Sequence, residues 1–484
     1  MKHVHHWIMT VFPGLLVLFL CVGCATNPAT RRTDFVLMSE KQEIETGRQL
    51  APEIRKSYGV YASDRLQQYV DSVGQRLSSR SHRPDIAYHF TVLDSPIVNA
   101  FALPGGYIFI TRGLLAYMNS EAELAGVLGH EIGHVTARHS VRQYTQTATY
   151  QIGAGLASIF VPELSEFGDF ANVVFAAVSS GYSRAYETEA DRLALGYAEA
   201  AGYDRCAMAA MLKTLKLLDK YSDAPKTHTS LFATHPETEK RISDVDQSAL
   251  CPVGAAAAGG EDRMPYLKQI DGIVFGDDPR QGIVSGRRFT HPELRCELTF
   301  PAGWRIQNRP DAVLASDDNQ EAFVEFNLLQ LPKRCTILEA AGIIIERLGL
   351  RSISGSPGFI GGLDAYTGTC SARDGLLKVR LGCFMDRDRL FYVLGFARTA
   401  DFEKNSGRFD RTIASFRKLS PEEAKNVKAR RLFLYRVKKG DTLPKILKQL
   451  GRPASELKTV ALINAWDPER LPVLTPEMMI KMIR

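Results

Sequence analysis

Apolar positions recur at helical spacing through the first part of the chain. Ile44, Leu50, Ile54 and Tyr58 follow a capping-box start at Ser39 and Gln42, and Leu66, Tyr69, Val70, Val73 and Leu77 share one face of a second predicted helix. The period then changes: residues 86–93 and 98–110 read as strands, and Leu103-Pro104-Gly105-Gly106 breaks the second of them, which predicts a hairpin or an edge strand. From residue 120 to about 248 the pattern is helical again. Beyond an Ala/Gly-rich linker at 251–263, residues 294–300, 322–329, 378–384 and 389–396 alternate or run apolar as strands, with a helical stretch near 337–348. The chain reads as α+β, in three folded units: 35–250, 264–420 and 432–484.

A length of 484 residues with 45% hydrophobic and 24% charged positions provides for more than one core. A formal charge of only +6, with basic residues scattered except at 425–439, gives no sign of nucleic-acid binding. At the N-terminus, Lys2 and three histidines precede an apolar run at 11–20 that ends in Cys21-Val22-Gly23-Cys24-Ala25. That run is short for a membrane span and has the form of an export signal, expected over 1–24. Six further cysteines (Cys206, Cys251, Cys296, Cys335, Cys370, Cys383) then belong to an oxidising compartment, with Cys206–Cys251 and Cys370–Cys383 as candidate pairs among several connectivities.

The candidate chemistry lies at 130–134, where His130, Glu131 and His134 form His-Glu-x-x-His. On a helix, positions four apart share a face, so both imidazoles can converge on one metal ion while Glu131 holds a water. Ser120 and Glu123 offer a capping-box start for that helix. A catalytic zinc takes three protein ligands, and the candidate third is Glu187 in Tyr182-Ser183-Arg184-Ala185-Tyr186-Glu187-Thr188-Glu189-Ala190-Asp191. Asp191 shares a face with Glu187 and can accept a hydrogen bond from the outer nitrogen of a ligand histidine, whereas Glu189 is expected to point elsewhere. His139, five residues past His134, is expected beside the ligands and not among them. His82, His89, His228 and His291 read as surface or structural residues.

Four motifs in order resemble the zinc metallopeptidases that include CAAX prenyl proteases and HtpX-type heat-shock peptidases, with their periplasmic lipoprotein members most similar. They are Asn99-Ala100-Phe101-Ala102-Leu103-Pro104-Gly105-Gly106, His130 to His134 with Arg138 and His139 after it, Glu187 to Asp191, and Thr234-His235-Pro236, together spanning about half the chain. The resemblance implies a mainly helical zincin (gluzincin) domain with a small edge sheet and one Zn2+ per chain, held by His130, His134 and Glu187, with Glu131 as base and proton shuttle. It implies that Asn99, Ala100, Phe101 and Ala102 lie along an extended polypeptide substrate, that Asp191, His139 and Arg184 surround the ligands, and that His235 is a fourth ligand or gate; Thr234-His235-Pro236 also reads simply as a helix start.

Gly23-Cys24 resembles a bacterial lipobox, which implies a lipid on Cys24 and, with Ala25 following, a periplasmic protein sorted to the outer membrane; Cys21 departs from the pattern usual at its position. Tyr435-Arg436-Val437-Lys438-Lys439-Gly440-Asp441-Thr442-Leu443, then Leu462-Ile463-Asn464 and Thr475-Pro476-Glu477, resemble a LysM domain, a βααβ module that binds N-acetylglucosamine polymers, which implies a peptidoglycan contact. Two readings stand beside an envelope endopeptidase: a wall-binding, chaperone-like lipoprotein, and a peptidase acting on peptidoglycan peptides.

Overall fold

A computed structural model describes residues 24–153, 181–221, 234–235, 238–249, 263–309, 312–331, 335–372 and 375–484. The expected signal up to Gly23, most of the Ala/Gly-rich linker, and His228, Pro236 and Cys251 lie outside them. The chain separates into two compact units: unit 1 takes residues 1–273 and 431–484, and unit 2 takes 274–430.

Unit 1 opens with β1 (Cys24–Thr26) paired to β2 (Thr33–Phe35), then α1 (Glu40–Tyr58) and α2 (Asp64–Ser78). Ser39 and Gln42 close a complete capping box on α1. Strands β3 (His89–Leu93), β4 (Ala100–Leu103) and β5 (Tyr107–Thr111) form a sheet in the order β3-β5-β4, so β4 is an edge strand joined to β5 as a hairpin. The Pro104–Gly106 turn between them packs on α1, where a Cβ at Gly47 would lie 1.9 Å from the Pro104 carbonyl oxygen.

Next come α3 (Arg112–Tyr117), α4 (Glu121–Thr136), α5 (His139–Gly153), α6 (Arg184–Ala200), α7 (Cys206–Tyr221), α8 (Thr238–Ala249) and α9 (Arg263–Ile270). Only half of the expected box forms on α4. The Ser120 side chain accepts from Glu123 N–H, but the Glu123 carboxylate reaches back one residue further, to Asn119 N–H at 2.7 Å. Small residues let α4 sink against its neighbours: a Cβ at Gly126 would meet Met208 at 3.1 Å, and one at Gly133 would meet the Ala190 carbonyl at 3.0 Å. That close approach is what brings α6 beside the His-Glu-x-x-His turn.

Unit 2 begins with β6 (Ile283–Ser285), β7 (Arg288–His291), β8 (Cys296–Thr299), β9 (Arg305–Asn308), β10 (Val313–Ser316), β11 (Ala322–Gln330) and α10 (Ile337–Arg347). It continues with β12 (Arg351–Ile360), β13 (Leu363–Ala372), β14 (Leu377–Asp386), β15 (Arg389–Arg398), α11 (Phe402–Ala414), β16 (Arg417–Lys418) and α12 (Pro421–Asn426). A seven-stranded sheet, β12-β13-β14-β15-β11-β10-β9, stands beside a four-stranded one, β16-β8-β7-β6. The expected Cys370–Cys383 disulfide is not made; both thiols are free, as are Cys296 and Cys335. The register explains this, because Cys370 faces Val379 while Cys383 faces Tyr366. Four residues of strand, about 13 Å, separate them, twice the reach of a disulfide. Cys206 is disulfide-bonded, to a partner outside the described side chains. His291 is buried and accepts from Leu294 N–H, a structural role.

The chain then returns to unit 1 with β17 (Leu432–Arg436), α13 (Leu443–Gln449), α14 (Leu457–Ile463) and β18 (Met479–Ile483), a βααβ order in which β17 and β18 pair antiparallel. Asn464 ties α14 to β18, its Oδ1 accepting from Lys481 N–H and its Nδ2 donating to the Lys481 carbonyl, both at 2.8 Å. The Lys481 side chain is fully buried and donates to the carbonyls of Ala116 at 2.9 Å and Met118 at 2.6 Å, at the end of α3. Among the described residues, no helix is long and apolar enough to cross a membrane.

Candidate metal centre

One turn of α4 supplies His130 and His134, the first turn of α6 supplies Glu187, and His235 comes from the segment before α8. All four are buried, and one ligand atom from each lies within 4.8 Å of the others. The spacings are close: His130 Nε2 to His134 Nε2 is 3.0 Å and to His235 Nδ1 is 3.3 Å. Glu187 oxygens lie 2.9 Å from His235 Nδ1, 3.4 Å from His130 Nε2 and 3.5 Å from His134 Nε2. A tetrahedron with metal–ligand bonds of about 2.0 Å has edges of about 3.3 Å, so these donors fit a small tetrahedral cation.

The outer nitrogens are held so that the inner ones face the cage. His130 Nδ1 sits 2.8 Å from Asp191 Oδ1, which sets the protonated nitrogen outward. His134 Nδ1 is 2.8 Å from His139 Nδ1, and His139 Nε2 is 3.4 Å from Glu189 Oε2, which Arg142 also holds at 2.9 Å. A chain of donors thus runs outward from His134, and Glu189, expected to point elsewhere, ends it. Tyr182 stacks on His134 with centroids 4.3 Å apart, and Tyr186 stacks on His139 at 4.4 Å.

Arg241 on α8, which the sequence pattern did not single out, is the main counter-charge. Its Nε and Nη2 grip both Asp191 oxygens at 2.7 Å, and its Nη1 reaches Glu187 at 3.2 Å and the His235 carbonyl at 3.4 Å. Its signal was the buried acid pair, Glu187 and Asp191, since buried carboxylates require cations. Arg184, by contrast, is exposed at the start of α6.

Burial opposes charge on His130, but hydrogen bonds to Asp191 and Glu187 raise it to about 9. Burial pushes His134 well below its ordinary value, aided by repulsion from His130. Burial also works against the Glu187 carboxylate, yet His235 and His130 hold it well below the usual range. Asp191 is held at about 2 against burial, chiefly by Arg241. Burial raises Glu131. The Glu131 Oε1 atom makes no hydrogen bond among the described residues and lies 3.6 Å from His235 Nε2. His235 therefore stands between the cage and Glu131.

Ala100, Phe101 and Ala102 lie on edge strand β4, with the Phe101 side chain in the core against Phe109 at 5.2 Å. Asn99 precedes the strand and accepts from the Thr234 hydroxyl at 3.3 Å, so it tethers the residue before His235. Cys24 begins β1.

Residues 64–249 match the family model described as Peptidase family M48. The chain is 32% identical over 223 residues to the beta-barrel assembly-enhancing protease of Escherichia coli, covering 44% of this chain and 45% of that one. It is 30% identical over 249 residues to the protein of the same name in Yersinia pestis (50% and 51%), and 35% over 165 residues to the mitochondrial metalloendopeptidase OMA1 of Arabidopsis thaliana (34% and 32%). The chain spans about half the length of these bacterial relatives. The four caged side chains, Glu131 and the Arg241 clamp thus all lie in the stretch, 64–249, that matches Peptidase family M48.

Proposed function

We propose that the chain is a zinc-dependent endopeptidase of the bacterial cell envelope that cleaves extended polypeptides. The observation that carries this reading is the cage itself, with four donors at tetrahedral spacing and a buried carboxylate, Glu131, beside it. In this reading His130, His134 and Glu187 hold the ion, Asp191, Arg241 and His139 fix their orientation, and His235 closes the fourth position. Zinc supplies a Lewis acid and makes water acidic near neutral pH. Glu131 takes the proton from the attacking water at Oε1 and returns it to the leaving amine; its burial, which favours the protonated acid, suits the second half of that task. Edge strand β4 offers its free backbone to a substrate added as one more strand, which supports extended, unfolded clients.

The bacterial relatives are named for enhancing beta-barrel assembly, which favours envelope proteins as the clients; in our reading these include misfolded or stalled ones. The Gly23-Cys24 pattern supports a lipid anchor to the outer membrane from the periplasmic side, and the βααβ order at 432–484 supports a LysM-like module that meets peptidoglycan. The test is Glu131→Gln in the zinc-loaded protein. We expect metal content unchanged and casein-type hydrolysis lower by about 10²–10⁴-fold. Unchanged cleavage by the variant, or hydrolysis that survives chelation, would overturn the metal-and-Glu131 mechanism, and no cleavage by the wild type or the variant would leave only a binding role.

A further inference from the structure

Beside the cage lies a small open pocket lined by Glu43, Leu103, Pro104, His134, Val135, Arg138 and their neighbours. Its charged wall is Arg138, which follows the C-cap of α4 with φ of 55°, a left-handed conformation that Arg31, Arg295 and Arg387 share. The guanidinium is nine-tenths buried and fixed at one end only: Nε donates to Glu43 at 2.8 Å and Nη2 to the Met38 carbonyl at 3.0 Å, while Nη1 has no partner among the described residues. Arg83 binds the other side of Glu43 at 2.9 Å, so the carboxylate is neutralised twice and the pocket retains a donor.

We propose that this pocket is the substrate subsite for a small residue, with Arg138 as the group that selects it. The inference rests on the peptidase reading above and names the substrate class of that site. A strand added to β4 presents alternate side chains toward and away from the body of the unit, and Leu103 and Pro104 carry the pocket wall on from that strand. The floor has room for about one water-sized group, the volume of a methyl or a hydroxyl. Glycine, alanine and serine fit; leucine, phenylalanine and lysine do not. Serine gains further, because its Oγ accepts from Arg138 Nη1.

The experiment profiles cleavage sites in a mixture of unfolded peptides by mass spectrometry, with the full-length zinc-loaded protein and with His235→Ala, so that a closed cage does not silence it. One subsite next to the scissile bond is expected to be restricted to Gly, Ala and Ser while the others stay broad. Val135→Ala, and separately Pro104→Ala, widen the pocket from its two sides; kcat/KM for peptides with Thr or Val at that subsite should rise about tenfold relative to Ala peptides. Large side chains accepted at every subsite, or a restriction that neither widening variant relaxes, overturns the proposal and leaves the peptidase reading intact. Absence of any cleavage by both the wild type and His235→Ala overturns the peptidase reading and this proposal with it.

Discussion

His235 has two faces, and each meets a different part of the machinery. Its Nδ1 sits among the cage donors, 2.9 Å from Glu187, and its Nε2 points to Glu131 at 3.6 Å. In the proposed reading this placement keeps a water from bridging the cage and the carboxylate, which makes His235 a gate. His235→Ala keeps three donors and frees that space; hydrolysis is expected to rise above wild type, with weaker zinc retention in a chelator competition. A fall to the level of Glu131→Gln would mean that His235 serves the reaction instead of blocking it. His130, His134, Glu187 and Asp191 could be read together because helical spacing fixes which side chains share a face. Arg241 could not, since an arginine on a polar helix looks like a solvated one until its buried acid partners are placed beside it.

At the scale of elements, the centre depends on how closely backbones approach. Gly181 has φ of 82°, and a Cβ there would lie 2.2 Å from the Thr234 carbonyl. The chain entering α6 therefore rests directly on the residue before His235, which Asn99 holds from the other side. Gly181→Ala must push that segment away at a cost of about 1–3 kcal/mol. The expected result is a protein with the fold of wild type by circular dichroism and with hydrolysis that approaches His235→Ala; unaltered activity would show that the segment is not held by this contact. The helices and the edge strand were legible because each carries a periodic apolar face or a Pro-Gly-Gly break. Strand β12 was not: its Ser, Gly and Pro residues do not alternate, all but its last residue is exposed, and it is a strand only because β13 pairs with it. Pro357 and the register shift at Ser352/Ser354 blunt that open edge against further pairing.

At the scale of the molecule, the C-terminal βααβ segment is part of unit 1, although 274–430 separates it in sequence. Local patterning could delimit that segment but could not show where it packs, because its anchors are long-range: the buried Lys481, the Tyr221 hydroxyl on Asp467 and backbone bonds between Leu432 and residues 272–273. Lys481→Met leaves the Ala116 and Met118 carbonyls without their donor, which should cost about 1–3 kcal/mol. The melting temperature of unit 1 is expected to drop by about 2–4 °C for each kcal/mol. A melting curve that does not move would mark the packing as incidental. The same lysine orders events in time. Ribosomes make chains from the N-terminus, so the turn that leads into α4 waits for its last partner until the whole of unit 2 has been made. The support that Lys481 gives to the N-terminal end of α4 is therefore added only after unit 2 has been synthesised.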